Sequence, residues 1–221
     1  MSAESALSDG LIETLLWTRD AGFWLLDGHR ARLAASAAAL GFSFAPENLD
    51  RALARACAGA ATPRLRVRLV LSRDGAIETT SAPFSPDPRA KIWRVAVAPQ
   101  KFDSRDPLLR HKTTRRALYE DALAASGADE VIFFNERDEA CEGARTNIFV
   151  ERDGLLLTPP VESGLLPGVL RAHLLTQGRA REKILRLDKL NGDFLIGNSV
   201  RGLMRARLAA PGEHKSFPRA R

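Results

Sequence analysis

Lysine is scarce in this chain. Only six of its 221 residues are lysine: Lys91, Lys101, Lys112, Lys183, Lys189 and Lys215. The rest of its 33 basic residues are arginine, so solvation falls to arginine and each lysine merits separate inspection. Cysteine is scarcer still. Cys57 and Cys141 stand far apart and unpatterned, which excludes a disulfide framework or a thiolate metal set and reads as two buried thiols. Aromatics make up 6% of the chain and form no stacking motif with arginine. The net charge of +6 and the pI near 9.9 therefore argue for a small anionic substrate rather than a nucleic acid, all the more because the basic residues are spread along the whole chain. No apolar run approaches the roughly 20 residues that span a bilayer. The first residues, MSAESALSDG, lack a basic region followed by an apolar core, so no secretory signal is expected. The expectation is a cytoplasmic protein that engages neither membrane nor nucleic acid.

The composition, 45% hydrophobic and 27% charged, is that of a folded globular protein and excludes low-complexity disorder. Residues 11–17 and 22–27 read as two strands joined by the turn Thr18-Arg19-Asp20-Ala21. A helix is expected over 30–40, ended by Gly41, and a second over 47–58 with Asn48 as its cap. From Arg64 to Ser72, apolar Leu65, Val67, Leu69 and Leu71 alternate with Arg64, Arg66 and Arg68, which predicts a half-buried strand with an arginine face. Asp74-Gly75 predicts a turn, and 76–81 a strand pairing back. A strand is expected over 91–98. The polar stretch 101–107 reads as the joint between halves, giving an N-terminal domain over 1–100, a linker over 101–108 and a C-terminal domain over 109–221. Beyond the linker the pattern predicts a helix over 113–126 and strands over 130–135, 146–151 and 154–158. A helix opened by Pro167-Gly168 runs to Leu175, and strands follow near 182–187, 193–197 and 202–208. The tail from Pro211 reads as a loose basic end.

Four short stretches carry chemistry. Lys112 lies in Arg110-His111-Lys112-Thr113-Thr114-Arg115, expected at a helix start. Glu142 lies in Glu142-Gly143-Ala144-Arg145-Thr146-Asn147, expected between strands. Gly164-Leu165-Leu166-Pro167-Gly168-Val169-Leu170-Arg171 is a loop running into a helix, whose first amides are free to meet a phosphate. Gly197-Asn198-Ser199 follows a strand and offers further donors. Each alone is weak: an exposed lysine, a turn glutamate, an ordinary loop-to-helix join.

Their order and spacing together resemble the fold-type IV pyridoxal-phosphate enzymes, the class IV aminotransferase family, which includes branched-chain and D-amino-acid aminotransferases and aminodeoxychorismate lyase. Ile12-Glu13-Thr14 and His29-Arg30-Ala31-Arg32-Leu33 are similar to that family's N-terminal motifs, so the likeness runs from Leu11 to about Leu208. It implies an α+β, two-domain fold resembling D-amino-acid aminotransferase, a homodimer, and pyridoxal 5'-phosphate as cofactor. Lys112 would bond to the cofactor aldehyde, which requires a free amine. Glu142 would face the pyridine nitrogen and keep it protonated. Arg32 would bind the phosphate, with Asn147, the amides of Val169 and Leu170, and Asn198 and Ser199 around it. Arg68, and next to it Arg66, would take a substrate carboxylate.

The likeness has departures. Leu170 stands where many aminotransferases have a threonine, which removes one hydroxyl from the phosphate site. Thr14 and Thr146 differ from the glycine and glutamate common in branched-chain enzymes. Thr14 instead matches the lyases, where a threonine is thought to assist proton transfer. The short N-terminus is similar to the lyase-like domain fused behind aminodeoxychorismate synthase. The resemblance therefore implies a lyase that converts 4-amino-4-deoxychorismate to p-aminobenzoate and pyruvate for folate biosynthesis. The alternative within the family is a transaminase on a D- or branched-chain amino acid. The alternative of another class is a non-catalytic basic binding protein.

Overall fold

The structure is a computed structural model and describes residues 10–88 and 90–210. The tail from Pro211 lies outside the described residues. The chain divides into two compact units, residues 10–85 joined by Lys112–Arg115, and residues 86–111 with 116–210.

In the first unit, β1 (Leu11–Thr18), β2 (Gly22–Phe23), β3 (Arg64–Leu71) and β4 (Ile77–Pro83) form an antiparallel sheet in the order β2-β1-β3-β4. Helices α1 (Leu26–Leu40) and α2 (Pro46–Cys57) cover one face. Leu11 and Leu15 of β1, Val67, Leu69 and Leu71 of β3, Leu33 and Ala37 of α1, and Leu49 and Leu53 of α2 fill the core between them. The period-2 pattern of β3 holds, with every arginine of 64–68 on the open face. Two expectations change. The strand over 22–27 shrinks to two residues, because α1 starts at Leu26, after Leu25 turns the chain with φ 56°. Asn48 does not cap α2. Pro46 opens that helix, where its missing N–H costs nothing, and Asn48 accepts a hydrogen bond from Arg51 one turn on. Cys57 at the end of α2 is only half-buried, unlike Cys141.

The second unit is built on an eight-stranded mixed sheet. Its strands are β5 (Trp93–Phe102), β6 (Glu130–Asn135), β7 (Ala140–Gly143), β8 (Asn147–Arg152), β9 (Leu155–Thr158), β10 (Ala180–Glu182), β11 (Asp193–Asn198) and β12 (Gly202–Leu208). They lie in the order β10-β9-β8-β11-β12-β5-β6-β7. All of β6 is buried. Ile132 and Phe134 enter one apolar layer with Trp93, Val95, Ile148 and Ile196, while Val131 and Phe133 enter another with Ala96, Phe102 and Leu165. A strand flanked by parallel β5 and packed on both faces has no solvated side, so its sequence shows no polar alternation. Helices α3 (Ala117–Ser126) and α4 (Val169–Thr176) belong to this unit.

The expected joint at 101–108 does not coincide with this division. Lys101 and Phe102 are the last residues of β5 and pair with Phe134 and Asn135, so residues from Pro86 on belong with the second sheet. The expected strand over 182–187 is also displaced. β10 ends at Glu182, and of the following apolar residues only Leu185 is buried while Ile184 and Leu187 are exposed.

Candidate active site

Lys112 does not begin a helix, since α3 starts five residues later. It lies in an extended segment laid along the start of β1. The amide of Ile12 donates to the Lys112 carbonyl at 2.7 Å, Leu11 bridges Thr113, and the amide of Thr114 donates to the Gly10 carbonyl at 2.8 Å. The Thr114 hydroxyl accepts from the Gly10 amide at 2.9 Å. A Cβ on Gly10 would stand 2.6 Å from a Val70 methyl, so this close approach needs glycine. The lysine is half-buried on a backbone fixed at three successive residues.

β1 presents different groups on its two faces. Glu13 points inward, in phase with Leu11 and Leu15, and is buried. Its Oε1 accepts from Arg32 Nε at 2.8 Å and its Oε2 from Arg32 Nη2 at 2.6 Å, with His29 Nδ1 2.6 Å from Oε2. Burial alone would raise the Glu13 carboxyl, but the Arg32 charge and the hydrogen bonds from His29 and Arg32 override it and hold it at about 2. Arg32 is therefore spent on Glu13 through two nitrogens and has Nη1 left for a ligand. On the opposite face, Thr14 stands directly across from Arg68 and Leu16 across from Arg66. Arg66 and Arg68 are exposed and lack a carboxylate partner among the described residues.

In the second unit Glu142 is not in a turn. It is the third residue of β7 and is buried. Its Oε1 accepts from the Tyr119 hydroxyl at 2.9 Å and its Oε2 from the Leu166 amide at 3.1 Å. The turn after it is held from below. Buried Glu130 accepts from the Thr146 hydroxyl at 3.0 Å and the Arg145 amide at 3.1 Å, and burial pushes its carboxyl up. Asn147, first residue of β8, donates through Nδ2 to the Leu166 carbonyl at 3.0 Å. A Cβ on Gly168 would fall 1.9 Å from Asn147 Oδ1, so only glycine lets the loop close on that amide. Gly168 is the residue before α4, and no side chain caps the helix. Its first amides, those of Val169 and Leu170, have no intrahelical partner and remain available to an anion.

Asn198 has partners within its own turn. Its Oδ1 accepts from the amides of Val200 and Arg201 at 3.0 and 2.9 Å, and its Nδ2 donates to the Arg145 carbonyl at 3.1 Å. The side chain closes the β11–β12 turn, which commits its Oδ1 to the turn itself and one of its two Nδ2 hydrogens to Arg145. Ser199 beside it is buried, with its hydroxyl unbonded among the described residues. Three groups escaped the sequence reading: Glu13 as the partner of Arg32, Tyr119, and the Leu166 amide. Glu13 had a visible signal, a charge in phase with the inward leucines of LIETLLW.

Each unit thus carries half of a recognisable set: a constrained lysine and an arginine in one, a buried carboxylate and an open helix start in the other. Residues 10–209 match the model of the class IV aminotransferase family, and the chain belongs to that family of enzymes. A Schizosaccharomyces pombe protein named "Putative aminodeoxychorismate lyase" is 31% identical over 202 residues, 86% of each chain. A solved structure from Mesorhizobium loti, described as a "Putative amino-acid aminotransferase", is 44% identical, covers 91% of this chain and 100% of its own, and has a TM-score of 0.87. A Legionella pneumophila structure described as "Putative 4-amino-4-deoxychorismate lyase" shares the fold at 22% identity and a TM-score of 0.80, covering 99% of this chain and 91% of its own. The mixed α+β fold of the fold-type IV enzymes is therefore present. No helix among the described residues is long and apolar enough to cross a membrane.

Proposed function

We propose that this enzyme is a pyridoxal-phosphate-dependent lyase that splits 4-amino-4-deoxychorismate into p-aminobenzoate and pyruvate. The residues fit the cofactor. The orphaned amides of Val169 and Leu170 and the Ser199 hydroxyl suit its phosphate, and the remaining nitrogen of Arg32 suits it as well. The buried carboxylate of Glu142 suits a protonated ring nitrogen. Lys112 supplies the amine. When bound, pyridoxal phosphate supplies an aldehyde for an amine and a ring that withdraws electrons from the carbon beside it.

The observation that carries the lyase reading is the register of β1 on β3. It sets the Thr14 hydroxyl opposite Arg68, with Arg66 two residues on along the same open face. A substrate with two carboxylates would meet two exposed arginines whose Cα atoms are about 7 Å apart along the strand, with Thr14 on the same face to relay a proton. Lys112 Nζ would take the proton from the ring carbon that bears the amine. The carbon–oxygen bond to the enolpyruvyl group breaks, the ring becomes aromatic, and the Nζ proton returns to the enolpyruvyl methylene to give pyruvate. Thr14 Oγ1 would assist these transfers. No keto-acid acceptor enters the balance.

A transaminase is the second reading, favoured by the 44% identity to the Mesorhizobium loti protein. The test is incubation with 4-amino-4-deoxychorismate alone. Release of p-aminobenzoate and pyruvate in equal amounts is expected, abolished in Lys112→Ala. Turnover that appears only when a keto acid is added overturns the lyase assignment in favour of the transaminase.

A further inference from the structure

The carboxylate of Glu142 is gripped at both oxygens by groups of its own unit. The grip at Oε2 is backbone, the Leu166 amide at 3.1 Å. The grip at Oε1 is a side chain, the hydroxyl of Tyr119 at 2.9 Å. Tyr119 lies on α3, and its ring is itself locked. It stands edge-on to Phe102 of β5, with centroids 5.5 Å apart at 61°, and edge-on to Phe133 of β6, at 5.1 Å and 66°. Those two phenylalanines stack on each other at 4.7 Å and 9°. The Arg116 guanidinium covers the ring 4.7 Å from its centroid while donating to the Ala144 carbonyl. Two phenylalanine rings and a cation thus hold one phenol, and its hydroxyl donates to Glu142. Burial, and then the Glu142 charge, push the Tyr119 hydroxyl well above its ordinary range, so it stays a donor at any pH the protein survives.

We propose that Tyr119 is a positioning residue that, through its hydrogen bond to Oε1, fixes the orientation and strengthens the anionic character of the Glu142 carboxylate that meets the cofactor ring nitrogen. The role rests on the cofactor reading above. A carboxylate held by a donor at each oxygen cannot rotate without breaking both of these bonds, and a hydrogen bond to a carboxylate favours its charged form. Tyr119 touches neither substrate nor cofactor in this scheme; it acts through Glu142.

The test is Tyr119→Phe, which keeps the ring and its packing and deletes only the hydroxyl. Titration of the full-length protein with pyridoxal phosphate should show affinity weakened about tenfold, the scale of one hydrogen bond to a charged group. The visible absorption band of the bound cofactor should shift. In a Glu142→Gln background the same substitution should change neither quantity further, because its path to the ring is gone. Wild-type affinity and spectrum in Tyr119→Phe overturn the proposal, and so does an equal loss in the Glu142→Gln background. Should Tyr119→Phe fold poorly, a second route exists. Tyr119 is the one tyrosine of the chain, so growth on 3-fluorotyrosine modifies it alone. The more acidic phenol is a stronger donor, and the cofactor band should move opposite to the Phe variant; an unmoved band overturns the proposal. Failure of the cofactor reading looks different: the unsubstituted protein then gains no visible band and no borohydride-stable label at Lys112.

Discussion

Glu13 and Arg32 meet in a two-point ion pair between β1 and α1, with Nε on Oε1 at 2.8 Å and Nη2 on Oε2 at 2.6 Å. The pair aims the guanidinium. An arginine held at two nitrogens by a buried carboxylate presents its third nitrogen in one direction, with the side-chain entropy already lost on folding.

This pair predicts acid sensitivity. The Glu13 carboxyl titrates near 2 in the fold against an ordinary 4.5. Its contribution, on the order of 3 kcal/mol, is present above pH 4.5 and is lost as pH falls toward 2. Urea unfolding followed by circular dichroism should show stability falling over that window. Glu13→Gln should be less stable at pH 7 and show a flatter profile. A variant as stable and as acid-sensitive as the parent would place the effect elsewhere.

Asn198 and Ser199 are adjacent but should behave oppositely. Asn198→Ala removes the bonds that close the β11–β12 turn and should cost about 1–2 kcal/mol in thermal or urea unfolding. Ser199→Ala should leave stability within about 0.5 kcal/mol and weaken pyridoxal-phosphate binding several-fold by fluorescence titration. A reversed pattern would assign the phosphate contact to Asn198 after all.

Gly168→Ala forces a methyl into Asn147 Oδ1, which stands 1.9 Å from the ideal Cβ. The expected cost is about 1–3 kcal/mol of stability, with weaker cofactor uptake because the start of α4 must move. Differential scanning calorimetry of the apo and loaded forms reads both. An unchanged melting temperature would show that the loop yields freely there.

Arg68→Ala should raise KM for the carboxylate substrate about tenfold or more while cofactor affinity stays unchanged, since the loss is one charge-assisted contact to substrate. Arg66→Ala should act in the same direction. Steady-state kinetics with a cofactor titration separates the two effects. A Lys at position 68 that restores KM only in part would point to two-point recognition of the carboxylate.

The sequence made the first sheet legible because its strands have one wet face. The alternation of Arg64 to Leu71 survives intact in the structure. It was less telling for the second sheet. β7 was missed because it is four residues long and buried throughout, so Glu142 looked like a turn residue. The extent of β5 was missed because Lys101, at a strand end, resembles a linker residue. Lys112 drew attention through scarcity and motif, yet its setting beside β1 depends on pairing with residues about a hundred positions away, which no local pattern encodes. The turn contacts of Asn198 were equally hard to see in the sequence. Its side chain serves the turn it initiates, a common use of asparagine that competes with any ligand role.

The contact between Gly10 and Thr114 spans 104 residues. Residues 112–115 complete the first unit although the chain on either side of them belongs to the second. During synthesis the first unit therefore cannot finish until residue 115 has emerged, and meanwhile the start of β1, at Leu11 and Ile12, lacks its partners from 112–114. A loop that long closes slowly against its entropy. Lys112 is set beside β1 only when the first unit closes on residues 112–115, so a chain arrested before that point holds most of that unit without its lysine.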